Sequence, residues 1–483
     1  MRLRMVERVA PVGILAFIAA AGGLGFGERA CGAEGTARKP NVIVIVADDL
    51  GYAEVNGAGK QDIPTPRIQS LAANGVYCSN GYVSCPVCSP TRAGLLTGRY
   101  QQRFGHEFNP GPAAQASDNF GLPLTETTLP DRMKKAGYAT GMVGKWHLGY
   151  EPKYRPLKRG FDEFFGFLGG AHSYIDSGAD RNNRIYRGDS PVDEQSYLTD
   201  AFGREAVAFI DRHKQEPFFL YLTFNAVHAP LQGADKYLAR FANIKDEKRR
   251  TFSAMLSAMD DNVGAVLDKL QQDKLDENTL IFFISDNGGP TPQTTSRNDP
   301  LHGFKAQTWE GGIRVPLIVQ WKGKLPAGKT YDQPVIALDI LPTAVTAAGG
   351  SLAGDHPLDG VDLAPYLSGQ NAKPPHDALY WRFGPQWAIR KGNLKLVQPP
   401  TGAVQLYDLP TDVGELKDLA SEKPDAAKDL ASDYQKWNSQ LASPLWQPQR
   451  AAKAGQAKAA GKGKGNGKAK ARRAAQQKKA EAT

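Results

Sequence analysis

The chain reads as an α/β protein, a layered α/β/α domain around a mostly parallel central sheet, followed by a small α+β subdomain with an antiparallel sheet. Three observations predict this. Runs of β-branched and apolar residues without polar alternation recur at 41–47, 218–224, 280–284 and 315–320, the pattern of strands buried on both faces. Between them, 196–213 and 248–270 carry apolar residues at helical spacing, as in Met255, Met259, Val263, Val266 and Leu270. Past Pro374-Pro375 the texture changes to short segments at 387–390, 394–397 and 404–409, broken by Gly and Pro and followed by a helix over about 426–441.

At 483 residues the chain exceeds the size at which a single core keeps growing. The expected division is a leader over 1–33, a large domain over 38–375, the small subdomain over 376–446 and a tail over 447–483. Composition is ordinary except in the tail. From Arg450 to the terminus there are 11 Lys or Arg and a single Glu, a balance of +10 against +9 for the whole chain, so the remainder is close to neutral. Ala, Lys, Gly and Gln without aromatics cannot bury enough apolar surface to offset ordering entropy, so this segment is expected to be disordered. It is either a solvated extension or a binder of an acidic polymer; without aromatic interleaving, no specific nucleic-acid partner is predicted.

Arg2, Arg4 and Arg8 precede an apolar, glycine-rich stretch over 9–26 and small residues at Cys31-Gly32-Ala33. This is the arrangement of a secretory signal peptide cut after Ala33, with an uncleaved anchor as the alternative. No other stretch is apolar and long enough to cross a bilayer, so an exported protein without a stable membrane partner is expected. Cleavage leaves Cys78, Cys85 and Cys88, an odd number of thiols for an oxidising compartment. Cys85-Pro86-Val87-Cys88 also has redox or half-zinc-site spacing, but no second C-x-x-C accompanies it.

Chemistry-bearing residues follow the strand runs, where open α/β sheets bind ligands. Asp48 and Asp49 end the first run, and Asp286-Asn287-Gly288-Gly289 ends the run at 280–284. Three carboxylates and an amide oxygen suit a hard divalent cation, Ca²⁺ or Mg²⁺, although each pair taken singly is also a plain turn or helix-start signal. Gly144-Lys145-Trp146-His147 follows a strand-like run, and in an extended segment Lys145 and His147 share one face. His228 ends another run in Asn225-Ala226-Val227-His228-Ala229-Pro230, and Lys305 precedes Glu310-Gly311-Gly312-Ile313-Arg314-Val315-Pro316. Ser89 and Pro90 look like the N-cap and first turn of a helix, placing Cys88 at its positive end.

Cys88-Ser89-Pro90-Thr91-Arg92, followed by Leu95-Leu96-Thr97-Gly98-Arg99, resembles the maturation signature of the formylglycine-dependent (type I) sulfatases. The resemblance spans about 40–441 and is of the arylsulfatase and N-acetylgalactosamine-6-sulfatase kind. It implies an alkaline-phosphatase-like fold. It also implies that a formylglycine-generating enzyme oxidises Cys88 to 3-oxoalanine, whose hydrate attacks sulfur in a sulfate monoester, with a sulfated carbohydrate as the expected substrate. By the same resemblance, Asp48, Asp49, Cys88, Asp286 and Asn287 hold the cation, Arg92 steadies the hydrated aldehyde, Lys145 and Lys305 hold sulfuryl oxygens, and His228 and His147 move protons. His302 and Trp309 are further candidates for substrate contact, and loops around His106, His172 and His302 are the expected seat of specificity. One departure is Thr411-Asp412-Val413-Gly414-Glu415, where the family usually carries Asp-Pro before the glutamate. The competing readings are a phosphatase or phosphonate hydrolase on the same fold, and a non-catalytic binder of sulfated glycans should Cys88 stay unmodified.

Overall fold

Among the described residues, ten strands form the large sheet, in the order β11-β2-β10-β9-β1-β8-β4-β5-β6-β7. They are β1 (Asn41–Ala47), β2 (Val76–Cys78), β4 (Ala139–Lys145), β5 (Glu163–Phe167), β6 (Ile185–Arg187), β7 (Ser190–Val192), β8 (Phe218–Thr223), β9 (Thr279–Ser285), β10 (Leu317–Gln320) and β11 (Lys329–Tyr331). A two-stranded sheet pairs β3 (Gly81–Tyr82) with β12 (Val335–Ile336). The last sheet is an antiparallel meander of β13 (Ala378–Phe383), β14 (Gln386–Lys391), β15 (Leu394–Gln398) and β16 (Gln405–Asp408). This computed structural model describes residues 38–55, 62–112, 117–178, 183–354 and 356–447. The expected leader, and the tail from 448 on, lie outside the described residues.

Strand β1 shows why the uninterrupted apolar runs become central strands. It pairs in parallel with β8 on one side and β9 on the other, with Val44 opposite both Tyr221 and Phe282. Val42, Val44 and Val46 enter one hydrophobic cluster and Ile43, Ile45 and Ala47 the other, so both pleat faces are buried. The second cluster is closed by helices Leu198–His213 and Glu247–Gln272 through Phe202, Phe209, Met255, Met259 and Val263. The first is closed by helices Cys88–Thr97, Leu129–Lys135 and Ile340–Ala347, and takes in Trp381, Ile389, Leu396 and Leu406 of the small sheet. The small sheet, packed by helix Pro424–Asn438, therefore shares a core with the large one.

Several boundaries differ from expectation for local reasons. The run at 315–320 becomes a strand only from Leu317 and lies antiparallel to β9, because Val315 N–H is bonded to the Gly81 carbonyl and Arg314 bridges to Tyr82. The helix expected from 196 starts at Leu198, the Ser196 N–H being taken by the Glu194 carboxylate. The signature helix starts at Cys88, one residue before the expected cap. Its N-cap is Val87, in extended conformation with no side-chain cap. Ser89 cannot cap, since its hydroxyl donates to the His147 carbonyl at 2.6 Å and meets His106 Nε2 at 2.7 Å. The extended segment expected through His147 ends at Lys145, and His147 itself takes a left-handed φ of 60°.

Candidate active site

Four neighbouring parallel strands deliver the site from their carboxyl ends, in the sheet order β9, β1, β8, β4. Asp286 and Asn287 follow β9, Asp48 and Asp49 follow β1, His228 follows β8, and Lys145 closes β4 with His147 just beyond. Cys88 comes from across the sheet end, at the first turn of its helix. Its Sγ lies 3.5 Å from Asp48 Oδ1 and 3.3 Å from Lys305 Nζ. Ligand atoms of Asp48, Asp49, Cys88 and His228 all lie within 4.8 Å of one another.

The charges are paired. Lys145 Nζ donates to Asp48 Oδ2 at 2.6 Å, Lys305 Nζ to Asp49 Oδ1 at 2.5 Å, and Arg92 to Asp286 Oδ2 through Nε at 3.0 Å and NH2 at 2.7 Å. Arg92 NH1 also holds the Lys145 carbonyl at 2.9 Å. His228 Nε2 stands 3.7 Å from Asp49 Oδ2. Asp48, Arg92, Lys145 and Asn287 are completely buried, whereas the side chains of His228 and Lys305 remain 19% and 15% exposed. The acids and Lys145 form a floor, and His228 and Lys305 form the mouth.

Burial and these partners set the proton affinities. Burial alone would raise the Asp48 carboxyl, but Lys145, His228, Arg92 and Lys305 together hold it well below the usual range. Asp286 goes the other way, to about 6, through burial and the neighbouring Asp48 charge. Burial, aided by Asp286, pushes the Cys88 thiol up to about 12. An unmodified Cys88 is thus a protonated thiol at neutral pH, a poor nucleophile. Burial, then Lys145 and Arg92, keeps His147 well below the ordinary imidazole value. Burial also lowers His228, against the opposing pull of Asp48 and Asp49.

Asp48, Asp49, Asp286 and Asn287 fit a hard divalent cation. Their donors are oxygens, and Asn287 Oδ1 is buried with no hydrogen-bond partner while its Nδ2 donates to Asp49 Oδ1 at 2.7 Å. Glycine keeps this loop in place: a Cβ on Gly288 would stand 1.8 Å from the Gly311 carbonyl oxygen, and Gly288 N–H donates to the Gly312 carbonyl at 3.0 Å.

Other sequence candidates fall elsewhere. His302 is exposed and stacks on Trp309, ring centroids 4.4 Å apart, with no contact to Cys88 or its carboxylate neighbours among the described residues. His106 and His172, around which the specificity loops are expected, are themselves buried, His106 on Ser89 and His172 on the Phe167 ring at 5.0 Å. Cys78 and Cys85 are buried free thiols. Three contributors carried no local signal. Tyr174 hydroxyl meets the carbonyls of Asn225 and His228 and so fixes the loop after β8. Thr223 Oγ1 donates to the Lys145 carbonyl at 2.8 Å. Gln386 reaches the Lys305 loop from β14.

The sulfatase family profile matches residues 40–350, a span that holds every residue of this cluster. The chain belongs to the sulfatase family. Dog (Canis lupus familiaris) N-acetylgalactosamine-6-sulfatase is 34% identical over 386 residues, covering 75% of this chain and 72% of its own. Among solved structures, Ps i-CgsB in complex with k-i-k-neocarrahexaose is 37% identical with a TM-score of 0.81, covering 85% of this chain and 95% of that one. The phosphonate monoester hydrolase of Agrobacterium radiobacter shares the fold, with a TM-score of 0.60 at 19% identity, covering 83% of this chain and 96% of its own. This sulfatase accordingly has the alkaline-phosphatase-like fold expected of it, and its activity is sulfuric ester hydrolysis.

Proposed function

We propose that this sulfatase is exported and removes sulfate from a sulfated carbohydrate, with Cys88 converted to 3-oxoalanine by a formylglycine-generating enzyme. Aryl sulfates serve as artificial substrates. The observation that carries the reading is the seat of Cys88: a buried side chain at a helix start, between Asp48 and Lys305, whose thiol form is held protonated. The carbohydrate substrate is supported by likeness to an N-acetylgalactosamine-6-sulfatase and to a protein solved with a neocarrahexaose. Export rests on the arginines and apolar stretch at the N-terminus.

In this reading the hydrated aldehyde at position 88 attacks sulfur through one hydroxyl, and the ester oxygen departs. Lys305 at the mouth and Lys145 on the floor neutralise the sulfuryl oxygens as charge moves onto them. His228, beside Asp49 at the open edge, protonates the departing alcohol. His147, held neutral by its surroundings, takes the proton of the second hydroxyl, which expels sulfate and restores the aldehyde. Asp48, Asp49, Asp286 and Asn287 would hold a divalent cation, Ca²⁺ or Mg²⁺, which when bound neutralises developing negative charge at the nucleophile and sulfuryl oxygens.

Intact-peptide mass spectrometry across Cys88 tests the reading. A mass about 18 Da below the thiol form is expected. An unmodified thiol in fully active native material would sink it. Turnover of aryl sulfate well above aryl phosphate separates it from the phosphonate hydrolase that shares the fold.

A further inference from the structure

We propose that Gln386, in the small C-terminal sheet, is a positioning residue for desulfation, acting through Lys305; this rests on the reading of Lys305 as a clamp on the sulfuryl oxygens. Gln386 opens β14 and is only 7% exposed. Its amide spans the turn that follows Lys305: Nε2 donates to the Ala306 carbonyl at 3.0 Å, and Oε1 accepts from Thr308 N–H at 3.4 Å. Between those contacts Ala306 adopts a φ of 68°, a left-handed conformation that a residue with a Cβ holds only when its surroundings impose it.

The same residue ties the turn to the nucleophile. Ala306 N–H donates to the Pro86 carbonyl at 2.9 Å, two residues before Cys88, while the adjacent Lys305 side chain reaches Cys88 and Asp49. Gln386 thus holds the carbonyl side of Ala306, one peptide beyond the link that joins Ala306 to Lys305. A second anchor lies further along the turn, where Lys395 of β15 binds Glu310 at 2.9 Å and Glu415 at 2.8 Å in the interior. Lys395 holds the far end of the turn and the bonds of Ala306 N–H to Pro86 and of Lys305 N–H to Gly289 at 3.5 Å remain at the near end, so loss of Gln386 loosens the left-handed turn at Ala306 and lets the Lys305 side chain shift by a small distance. A clamp displaced by about 1 Å is enough to cost one to two orders of magnitude in rate.

The alternative is that Gln386 only satisfies two buried backbone groups and influences stability alone. A double-mutant cycle separates the two. Q386A and Q386E are made in the full chain, alone and with K305A, and kcat and KM for 4-nitrophenyl sulfate are measured in samples matched for aldehyde at position 88 and for melting temperature. Q386E keeps the side-chain volume and loses the donor to Ala306, so it carries the comparison should Q386A fail to fold. The expected result is a drop of roughly tenfold or more in kcat. In the K305A background the same substitution should change kcat by less than about twofold. An equal loss in both backgrounds, or wild-type kcat in a folded Q386 variant, overturns the proposal. Wild-type activity of K305A alone would instead remove the Lys305 reading, and this inference with it.

Discussion

Lys305 Nζ stands 3.3 Å from Cys88 Sγ, and its side chain is one of the two that open the site to solvent. The same ammonium is bonded to Asp49, and its proton affinity is raised well above the ordinary lysine value: burial opposes this, but the Asp49 and Asp48 carboxylates outweigh it. It therefore stays charged at every working pH. Lys305→Ala should lower kcat/KM for an aryl sulfate by about 10²- to 10³-fold, the usual loss when one preorganised donor to a transition-state oxygen is removed. Steady-state kinetics at saturating cation provides the check.

The carboxylates Asp48, Asp49 and Asp286 are balanced by Lys145, Lys305 and Arg92, and beside them Asn287 Oδ1 is a buried oxygen without a hydrogen-bond partner. Adding Ca²⁺ to chelator-treated protein should raise the melting temperature, because an ion that binds only the native state stabilises by mass action. Asn287→Ala removes that oxygen and the bond to Asp49, so the midpoint of the calcium-dependent shift should move to higher concentration. A shift identical to wild type would argue against the oxygen cage.

His106 gives the fold a dependence on acid. Burial lowers its imidazole to about 3 against the ordinary 6.5. Below pH 6.5 the unfolded chain binds a proton that the native state refuses, so stability falls as pH drops from 6.5 toward 3. The slope from this one group is about 1.4 kcal/mol per pH unit. Between pH 7.5 and 5, denaturant unfolding of His106→Gln should show a loss smaller than that of wild type by about 2 kcal/mol.

Lys395 is a completely buried ammonium between Glu310 and Glu415. Burial raises Glu310, but Lys395, Arg314 and Arg390 bring it down to about 2. Glu415 is pushed up to about 7 by burial, Lys395 opposing and the Glu310 charge assisting. Lys395→Met leaves both carboxylates in the interior without their shared cation and should cost about 3–5 kcal/mol, a fall in melting temperature readable by calorimetry.

What could be read from the sequence was whatever local periodicity or turn chemistry decides. The doubly buried runs located β1, β8 and β9, and the polar residues directly after them, Asp48, Asp49, Asp286 and Asn287, came together because parallel strands end on the same side of the sheet. Contacts between distant segments were not legible. Nothing near Ser89 announces that His106 and the His147 carbonyl consume its hydroxyl, which moves the helix start to Cys88. Arg92 looked free to reach the nucleophile because its partner, Asp286, lies 194 residues away. Gln386 lay just outside the expected 387–390 segment and Lys395 inside the 394–397 one, and nothing local to either announces its partner on the distant Lys305 turn.

A Cβ on Gly288 would collide with the Gly311 oxygen, one on Gly311 would stand 2.3 Å from the Gly303 oxygen, and one on Gly312 would stand 1.9 Å from the Gln307 oxygen. Backbone touching backbone at three successive points leaves an engineer no slack to redesign either loop by itself. Libraries aimed at altered activity should hold those glycines constant and vary outward-facing positions such as Phe304, where altered bulk can be absorbed by solvent.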